Sequence, residues 1–507
     1  MRGVRKVNHQ TIPNWLMQRA HLTPNRVAVS SSAGEVTFRQ LHEQALSLAE
    51  KCVSLGMKRG ETIAILASNS LKMVTFIHAM KYIGVKTLLL NTRLTSREIQ
   101  FQLEDANVKT LLASEDFLQT AQDVQKYANT LVYTFNEVME ASKQTFDWIK
   151  EFTMDDVDTI MYTSGTTGHP KGVMQTYGNH WWSAMGSALN LGLQENDSWL
   201  CAVPLFHISG LSILMRSVIY GMKVMLHEKF DPVSANRAIK EEGVTIASVV
   251  TAMLSRMLDQ TGGEAYPSQF RCMLLGGGPA PLPVLQSCAA LNIPVYQTYG
   301  MTETSSQIVT LPPEYSLAKL GSAGKPLFPC EVQIQTGQGT KAEPNQPGEI
   351  VVKGPNVTRG YWNRPDATDK ALQNGWFHTG DIGYLDDEGF LYVLDRRSDL
   401  IISGGENVYP AEIESALLSH PLIMDAGVTG MEDSIWGQVP CAFLVKQKGA
   451  SLTEEEVRQH CEKVLAKYKI PRAIYFVDEL PRNASNKLVR RQLPLLREKF
   501  GGNVNEN

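Results

Sequence analysis

Short apolar, β-branched runs alternate with amphipathic stretches, and this rhythm constrains the fold more than any other feature of the 507-residue chain. Residues 62–66 read as a strand, 71–82 as a helix and 85–90 as a second strand; the same order returns over 244–250, 252–258 and 272–275. A strand that is apolar at every position needs cover on both faces, and short strand–helix–strand connections join parallel neighbours. The expectation is layered α/β structure with largely parallel sheets. Local signals agree: Thr37 with Gln40 forms a capping box, the helix behind it shows Leu41, Ala45, Leu48, Cys52 and Leu55 on one face, and Gly56 closes it.

From about residue 327 the texture changes. Short alternating segments at 331–335, 349–353 and 391–394, separated by Gly, Pro and Asp turns, predict an antiparallel β subdomain. Asp386-Asp387-Glu388-Gly389 lacks the spacing of a calcium loop and reads as a hairpin turn. After Asp395-Arg396-Arg397 a compact α+β pattern begins. Pro410 opens a helix that Pro421 stops, and Thr453 with Glu456 caps another, expected to run to about Lys469. The main boundary is placed at 396–398. It divides a large N-terminal domain (1–396), made of α/β subdomains and a β subdomain, from a small mobile α+β domain (397–507).

Composition narrows the classes of partner. Apolar residues make up 43% and charged residues 20%, enough for a sizeable core, while the net charge of −4 argues against nucleic acid or an anionic membrane as the main partner. The longest uncharged run, 198–215, is long enough for a membrane span, but Pro204, His207, Ser209, Gly210 and Ser212 interrupt it. A buried strand–loop–helix is expected instead. Seven scattered cysteines form no CxxC pair, and no apolar run follows the basic N-terminus, which together point to a reducing, cytoplasmic setting. No pattern in the chain specifies an oligomeric state.

The chemistry concentrates in Tyr162-Thr-Ser-Gly-Thr-Thr-Gly-His-Pro-Lys-Gly172. Glycines let a backbone approach a ligand with N–H groups turned inward, hydroxyls donate to phosphoryl oxygens, and Lys171 adds a mobile charge: a polyphosphate cradle. It is not a Walker A loop, since the lysine is followed by glycine. The segment resembles the signature loop of the adenylate-forming superfamily, which comprises acyl- and aryl-CoA ligases, peptide-synthetase adenylation domains and luciferases. Four further motifs of that superfamily stand in order: Tyr299-Gly-Met-Thr-Glu-Thr304, Thr379-Gly-Asp381, the stretch from Asp395 to Asn407, and Pro481-Arg-Asn-Ala-Ser-Asn-Lys487.

The resemblance implies two steps: a carboxylate joins ATP to give an acyl-adenylate and pyrophosphate, and the acyl group then passes to a thiol. It implies that Thr163, Ser164, Gly165, Thr166, Thr167 and Lys171 cradle the phosphates, that Gly277, Gly278, Pro279 and Tyr299 flank the adenine, and that Thr302 contacts phosphate. Glu303 is expected to help hold Mg²⁺, a hard cation suited to a carboxylate and phosphate oxygens. Asp381 is expected to accept the ribose hydroxyls, with Arg396 as a second ribose or phosphate contact. Lys487 is the implied catalytic residue, a point charge between carboxylate and α-phosphate that favours the transition state. Ser398 stands at the pivot, where the family commonly has Asp or Lys. Gly404 and Gly405 are similar to the strip beside the pantetheine arm of CoA. His207 is similar to the acyl-pocket gate, with Thr251, Gly276, Gly300 and Met301 as pocket wall.

Longer stretches are similar to the 2-succinylbenzoate–CoA ligase branch of the superfamily: Gln175 to His180, Pro204 to Ser212, Gly276 to Pro283 and Gln307 to Leu311, within a likeness that runs from about residue 13 to about 493. This implies the substrates 2-succinylbenzoate, ATP and CoA. A second carboxylate on the acid needs a cation or several donors, for which Arg216, His207 and Ser209 are the candidates. Three alternatives stay open: a ligase for another aryl or medium-chain acid, an adenylation enzyme serving a separate carrier protein, and a non-catalytic protein keeping the fold.

Overall fold

The computed structural model describes residues 10–163, 170–277, 280, 282–337, 339–395, 401–408, 410–481, 488 and 490–500. Of the expected site residues, Ser164, Gly165, Thr166, Thr167, Gly278, Pro279, Arg396, Ser398 and Lys487 lie outside the described residues.

The first α/β layer is a six-stranded sheet. Its parallel core is Val157–Thr163, Lys86–Leu89, Thr62–Leu66, Thr110–Ala113 and Leu131–Thr134, and Lys171–Thr176 is added antiparallel at the edge. Thr62–Leu66 is buried at all its positions, as a strand covered on both faces must be. The helix Leu71–Ile83 is buried from Met73 onward, which explains its lack of a polar stripe.

A second sheet begins parallel through Lys223–Leu226, Ser198–Cys201, Ile246–Val250, Cys272–Gly276 and Val295–Met301. It then turns antiparallel through Ser306–Leu311 and Ser322–Pro326 and continues into Leu391–Asp395, Trp376–Leu385, Gly348–Lys353 and Glu331–Gln335. The β subdomain therefore extends the α/β sheet rather than standing apart. The uncharged run 198–215 is a strand followed by the helix Ile208–Tyr220, and no described helix is long and apolar enough to cross a membrane. All seven cysteines are buried free thiols.

After Asp395 the chain leaves this sheet, and at Ile401–Ser403 it enters a five-stranded one with Glu406–Val408, Gly437–Lys446, Ile423–Asp433 and Ala473–Phe476. We call the parts before and after this passage the N- and C-terminal lobes. The helix expected to reach Lys469 ends at Glu462, and Lys467–Lys469 is a separate 3₁₀ turn. Between them Leu465 and Ala466 enter the core with Ala466 extended (ψ 149°), so burial of these side chains overrides continuation of the helix.

Candidate active site

The hydroxyl-rich loop joins two antiparallel strands, with Thr163 and Lys171 paired directly across its base. This is a hairpin at a sheet edge, unlike the strand-to-helix turn of a Walker loop. The Lys171 ammonium lies 5.2 Å from the Tyr361 ring centroid, and the Tyr361 hydroxyl donates to Glu303 Oε1 at 3.1 Å. Four residues along the same strand, Gln175 donates to the Thr302 carbonyl at 2.9 Å and accepts from the Thr159 hydroxyl at 2.8 Å. One edge strand thus ties the cradle to the Thr302–Glu303 turn.

That turn follows Val295–Met301. Gly300 is obligatory, because a Cβ there would sit 2.1 Å from the Ser306 carbonyl oxygen where the two strands shift register. Beyond the 3₁₀ turn Thr302–Thr304, Ser305 (φ +52°) and Ser306 (φ +108°) adopt left-handed backbone that non-glycine residues rarely take, at a cost of about 1–3 kcal/mol each. Hydrogen bonds hold them there: Ser183 Oγ to the Ser305 carbonyl at 2.6 Å, Thr304 Oγ1 to the Ser306 carbonyl at 2.6 Å and Asn356 Nδ2 to the Thr304 carbonyl at 2.8 Å.

Tyr299, 3% exposed, donates to Asp381 Oδ2 at 2.7 Å. Thr379-Gly380-Asp381 is not a free turn. It lies inside the strand Trp376–Leu385, where the Asp381 N–H donates to Thr379 Oγ1 at 3.0 Å and the Gly380 N–H to Glu349 Oε1 at 3.0 Å. Desolvation, aided by Asp381, pushes the Glu303 carboxyl above its ordinary range, against the pull of Glu303's own backbone N–H, Tyr361 and Lys171. A carboxylate so short of counter-charge suits a hard divalent cation that completes its shell with phosphate oxygens. Among the described residues no group of three or more His, Cys, Asp or Glu side chains could hold a metal ion.

The residues expected at the acyl pocket include three at the helix Ile208–Tyr220. His207 is its N-cap and Arg216 lies deep along it, 1% exposed. The guanidinium sits 5.1 Å from the Trp199 ring centroid and donates through Nη2 to Ser306 Oγ at 3.2 Å, while Nε has no hydrogen-bond partner. Among the described residues no carboxylate pairs with it, and burial lowers its pKa from the usual value. Arg216 is therefore not a surface residue of its helix. Ser209 is exposed; Ser212, one turn on, reaches Ser306 Oγ at 3.4 Å instead. Thr251 begins the helix after Ile246–Val250, Gly276 ends its strand, Gly277 follows with φ +90°, and Met301 adjoins Gly300, so these residues converge at the carboxyl ends of the strands.

The C-terminal lobe closes over this face. Gly404 and Gly405 form a turn with positive φ (57° and 83°). A Cβ on Gly404 would meet the Trp436 ring at 2.6 Å, and one on Gly405 would stand 3.6 Å from Val250. Next to them the buried Glu406 carboxylate accepts from His207 Nε2 at 3.1 Å and Asn91 Nδ2 at 3.3 Å and pairs with Arg93 Nη1 at 3.2 Å. Desolvation opposes its charge, but His207, Arg93 and Asn91 prevail and hold the carboxyl below its ordinary value.

The AMP-binding enzyme family matches residues 16–362, and its C-terminal domain matches residues 412–487. The chain belongs to the AMP-binding enzyme family. Within the family it is 59% identical over 486 residues to a protein named 2-succinylbenzoate–CoA ligase from Geobacillus sp. strain WCH70, covering 96% of this chain and 98% of that one. Two solved structures of o-succinylbenzoate CoA synthetase from Bacillus subtilis are each 51% identical and cover 96% of this chain. A double mutant bound with its product analogue OSB-NCoA (98% of that chain) gives a TM-score of 0.92, and the complex with ATP and magnesium ion (100% of that chain) gives 0.76. At equal identity the chain superposes more closely on the former.

Several residues that build the site escaped the sequence reading. Glu406 lay inside a recognised motif, where its carboxylate beside two glycines was a usable signal. Gln175 lay inside a recognised stretch without a role, and Tyr361, Asn91, Arg93 and Ser306 had no signal, because each matters through a partner far away along the chain.

Proposed function

We infer that the protein is an ATP-dependent acid–thiol ligase that converts 2-succinylbenzoate, ATP and CoA to 2-succinylbenzoyl-CoA, AMP and pyrophosphate, a step of menaquinone biosynthesis. Near-full-length identity to ligases of this acid supports the class. The structural observation that carries the choice of acid is Arg216, a buried guanidinium with no carboxylate partner among the described residues and one N–H unsatisfied. A diacid supplies the missing anion.

In the first step Thr163, Lys171 and the loop between them take the phosphates, Tyr299 and Gly277 line the adenine, Asp381 takes the ribose hydroxyls, and Thr302 contacts the α-phosphate. Mg²⁺, when bound, neutralises phosphate oxygens, and Glu303 would hold it. Lys487 stabilises the charge that builds as the carboxylate displaces pyrophosphate. For the second step the C-terminal lobe, taken as 397–507 and pivoting at Ser398, presents Gly404 and Gly405 to the pantetheine arm while Glu406 engages His207. The contacts of Gly405 and Glu406, and the likeness to the OSB-NCoA complex, support reading the present arrangement as that second state. The compartment is read as cytoplasmic, in keeping with buried free cysteines.

The test is pyrophosphate release with ATP, Mg²⁺ and a panel of acids, with and without CoA. Turnover on 2-succinylbenzoate that requires CoA is expected. Adenylation with no transfer to CoA would point to a carrier-protein partner, and silence on every acid would refute the enzyme reading. Lys487→Ala is expected to abolish adenylate formation and largely spare transfer from preformed adenylate.

A further inference from the structure

The lobes also meet away from the nucleotide and acyl walls. Lys469 ends the turn Lys467–Lys469 and is 4% exposed. Its ammonium donates to Glu412 Oε1 at 2.7 Å and to Glu98 Oε1 at 2.8 Å. Glu412 belongs to the helix Pro410–Leu418 of the C-terminal lobe, and Glu98 to the helix Ser96–Asp105 of the N-terminal lobe. Glu98 already has a local task, since its Oε2 accepts from the Thr95 N–H and hydroxyl in a capping box. Its other oxygen is left for the opposite lobe. The second Glu412 oxygen is buried without a hydrogen-bond partner.

One buried ammonium therefore serves two largely desolvated carboxylates on different lobes. Burial alone favours a neutral amine, yet Glu412 and Glu98 raise the Lys469 pKa above its usual range. Without the cation, two carboxylates would face each other where water screens them poorly, so the interface would repel. Glu412 alone would satisfy a role confined to the C-terminal lobe; the bond to Glu98 exists only while the lobes stand as they do here. Asn91 and Arg93, which reach Glu406, lie on the same short segment as Glu98, so seating Lys469 and seating the Gly404–Gly405 turn are linked.

We propose that Lys469 is a positioning residue for the second half-reaction: by bridging Glu412 to Glu98 it holds the lobes in the arrangement that places Gly405 at Val250. It contributes nothing to adenylate formation. This rests on the two-step reading above. In the full-length protein the half-reactions are measured separately, as ATP–pyrophosphate exchange with 2-succinylbenzoate and as single-turnover transfer from preformed acyl-adenylate to CoA. Lys469→Met is expected to slow transfer about tenfold or more and to leave exchange within about twofold. Glu98→Gln keeps the cap, because glutamine serves at that position of a capping box, and is expected to give the same split about threefold deep. Equal loss of both half-reactions would make the cluster a mere folding element, and undiminished transfer would make it idle; either overturns the proposal. Should Lys469→Met fail to fold, Glu98→Gln on the other lobe decides. A wild-type protein silent on 2-succinylbenzoate would count against the substrate reading alone. The bridge would then be judged by small-angle X-ray scattering, where a Lys469→Met profile identical to wild type overturns it.

Discussion

Two buried lysines make similar ion pairs and do different work. Lys81, 3% exposed, meets the fully buried Asp158 inside the N-terminal lobe, whereas Lys469 meets Glu412 and Glu98 between the lobes. Desolvation wins over the single carboxylate at Lys81 and lowers its pKa; at Lys469 two carboxylates win and raise it. A third buried cation, Arg216, has no carboxylate among the described residues, and its pKa is lowered too. The number of anions around each cation separates Lys81, in a core pair, from Lys469, proposed to hold an arrangement, and Arg216, proposed to await a ligand.

The comparison breaks most visibly at Lys81. Lys81→Met leaves Asp158 buried without its lysine, with His180 Nε2 at 3.4 Å, and should cost about 3–5 kcal/mol of stability, read as a fall in the chemical-denaturation midpoint with both half-reactions lost together. A variant as stable as wild type would show that the pair is not structural.

Arg216 should behave in the opposite way. Arg216→Met removes a desolvated charge without stranding a carboxylate, so stability should hold or rise. Yet kcat/KM for 2-succinylbenzoate should drop by about 1.5–3 kcal/mol, roughly 10- to 150-fold, from loss of a charged hydrogen bond. Activity on a benzoate lacking the second carboxyl should change little. Equal losses on diacid and monoacid would remove Arg216 from the substrate.

Acid titration sharpens the view of the Lys81 neighbourhood. His78 and His180 are buried beside it; burial, with Lys81 adding, lowers the His78 pKa to about 3, and burial, against Asp158 and with Lys81, lowers that of His180 to about 4. In the unfolded chain each takes a proton near pH 6.5, while in the folded one it does not. Stability is therefore full above pH 6.5 and falls as pH drops toward 4, by about 1.4 kcal/mol per histidine per pH unit. Thermal midpoints across pH 7.5–4.5 check this, and His180→Gln should flatten the slope. A flat acid limb in the wild type would show that the histidines are not held neutral.

Much of this was legible residue by residue. The boxes at Thr37 and Gln40 and at Thr453 and Glu456 formed as read, and the apolar run 62–66 became a strand covered on both faces. Lys171 and Glu303, read from separate motifs, meet through Tyr361, and Tyr299 and Asp381, again from separate motifs, are joined by a direct hydrogen bond. The helix expected to reach Lys469 did not, because burying Leu465 and Ala466 turned the chain.

What the sequence determined by itself is whatever depends on neighbours within a turn or a strand: caps, strand faces, a glycine where two backbones cross, a loop shaped for phosphate. Tertiary structure alone decided which charges meet. His207 reaches Glu406 across 199 positions and Lys469 reaches Glu98 across 371. Short-range periodicity reports which side of an element is apolar, but the sign and number of charges around a buried cation arise only once separate lobes have packed and excluded water.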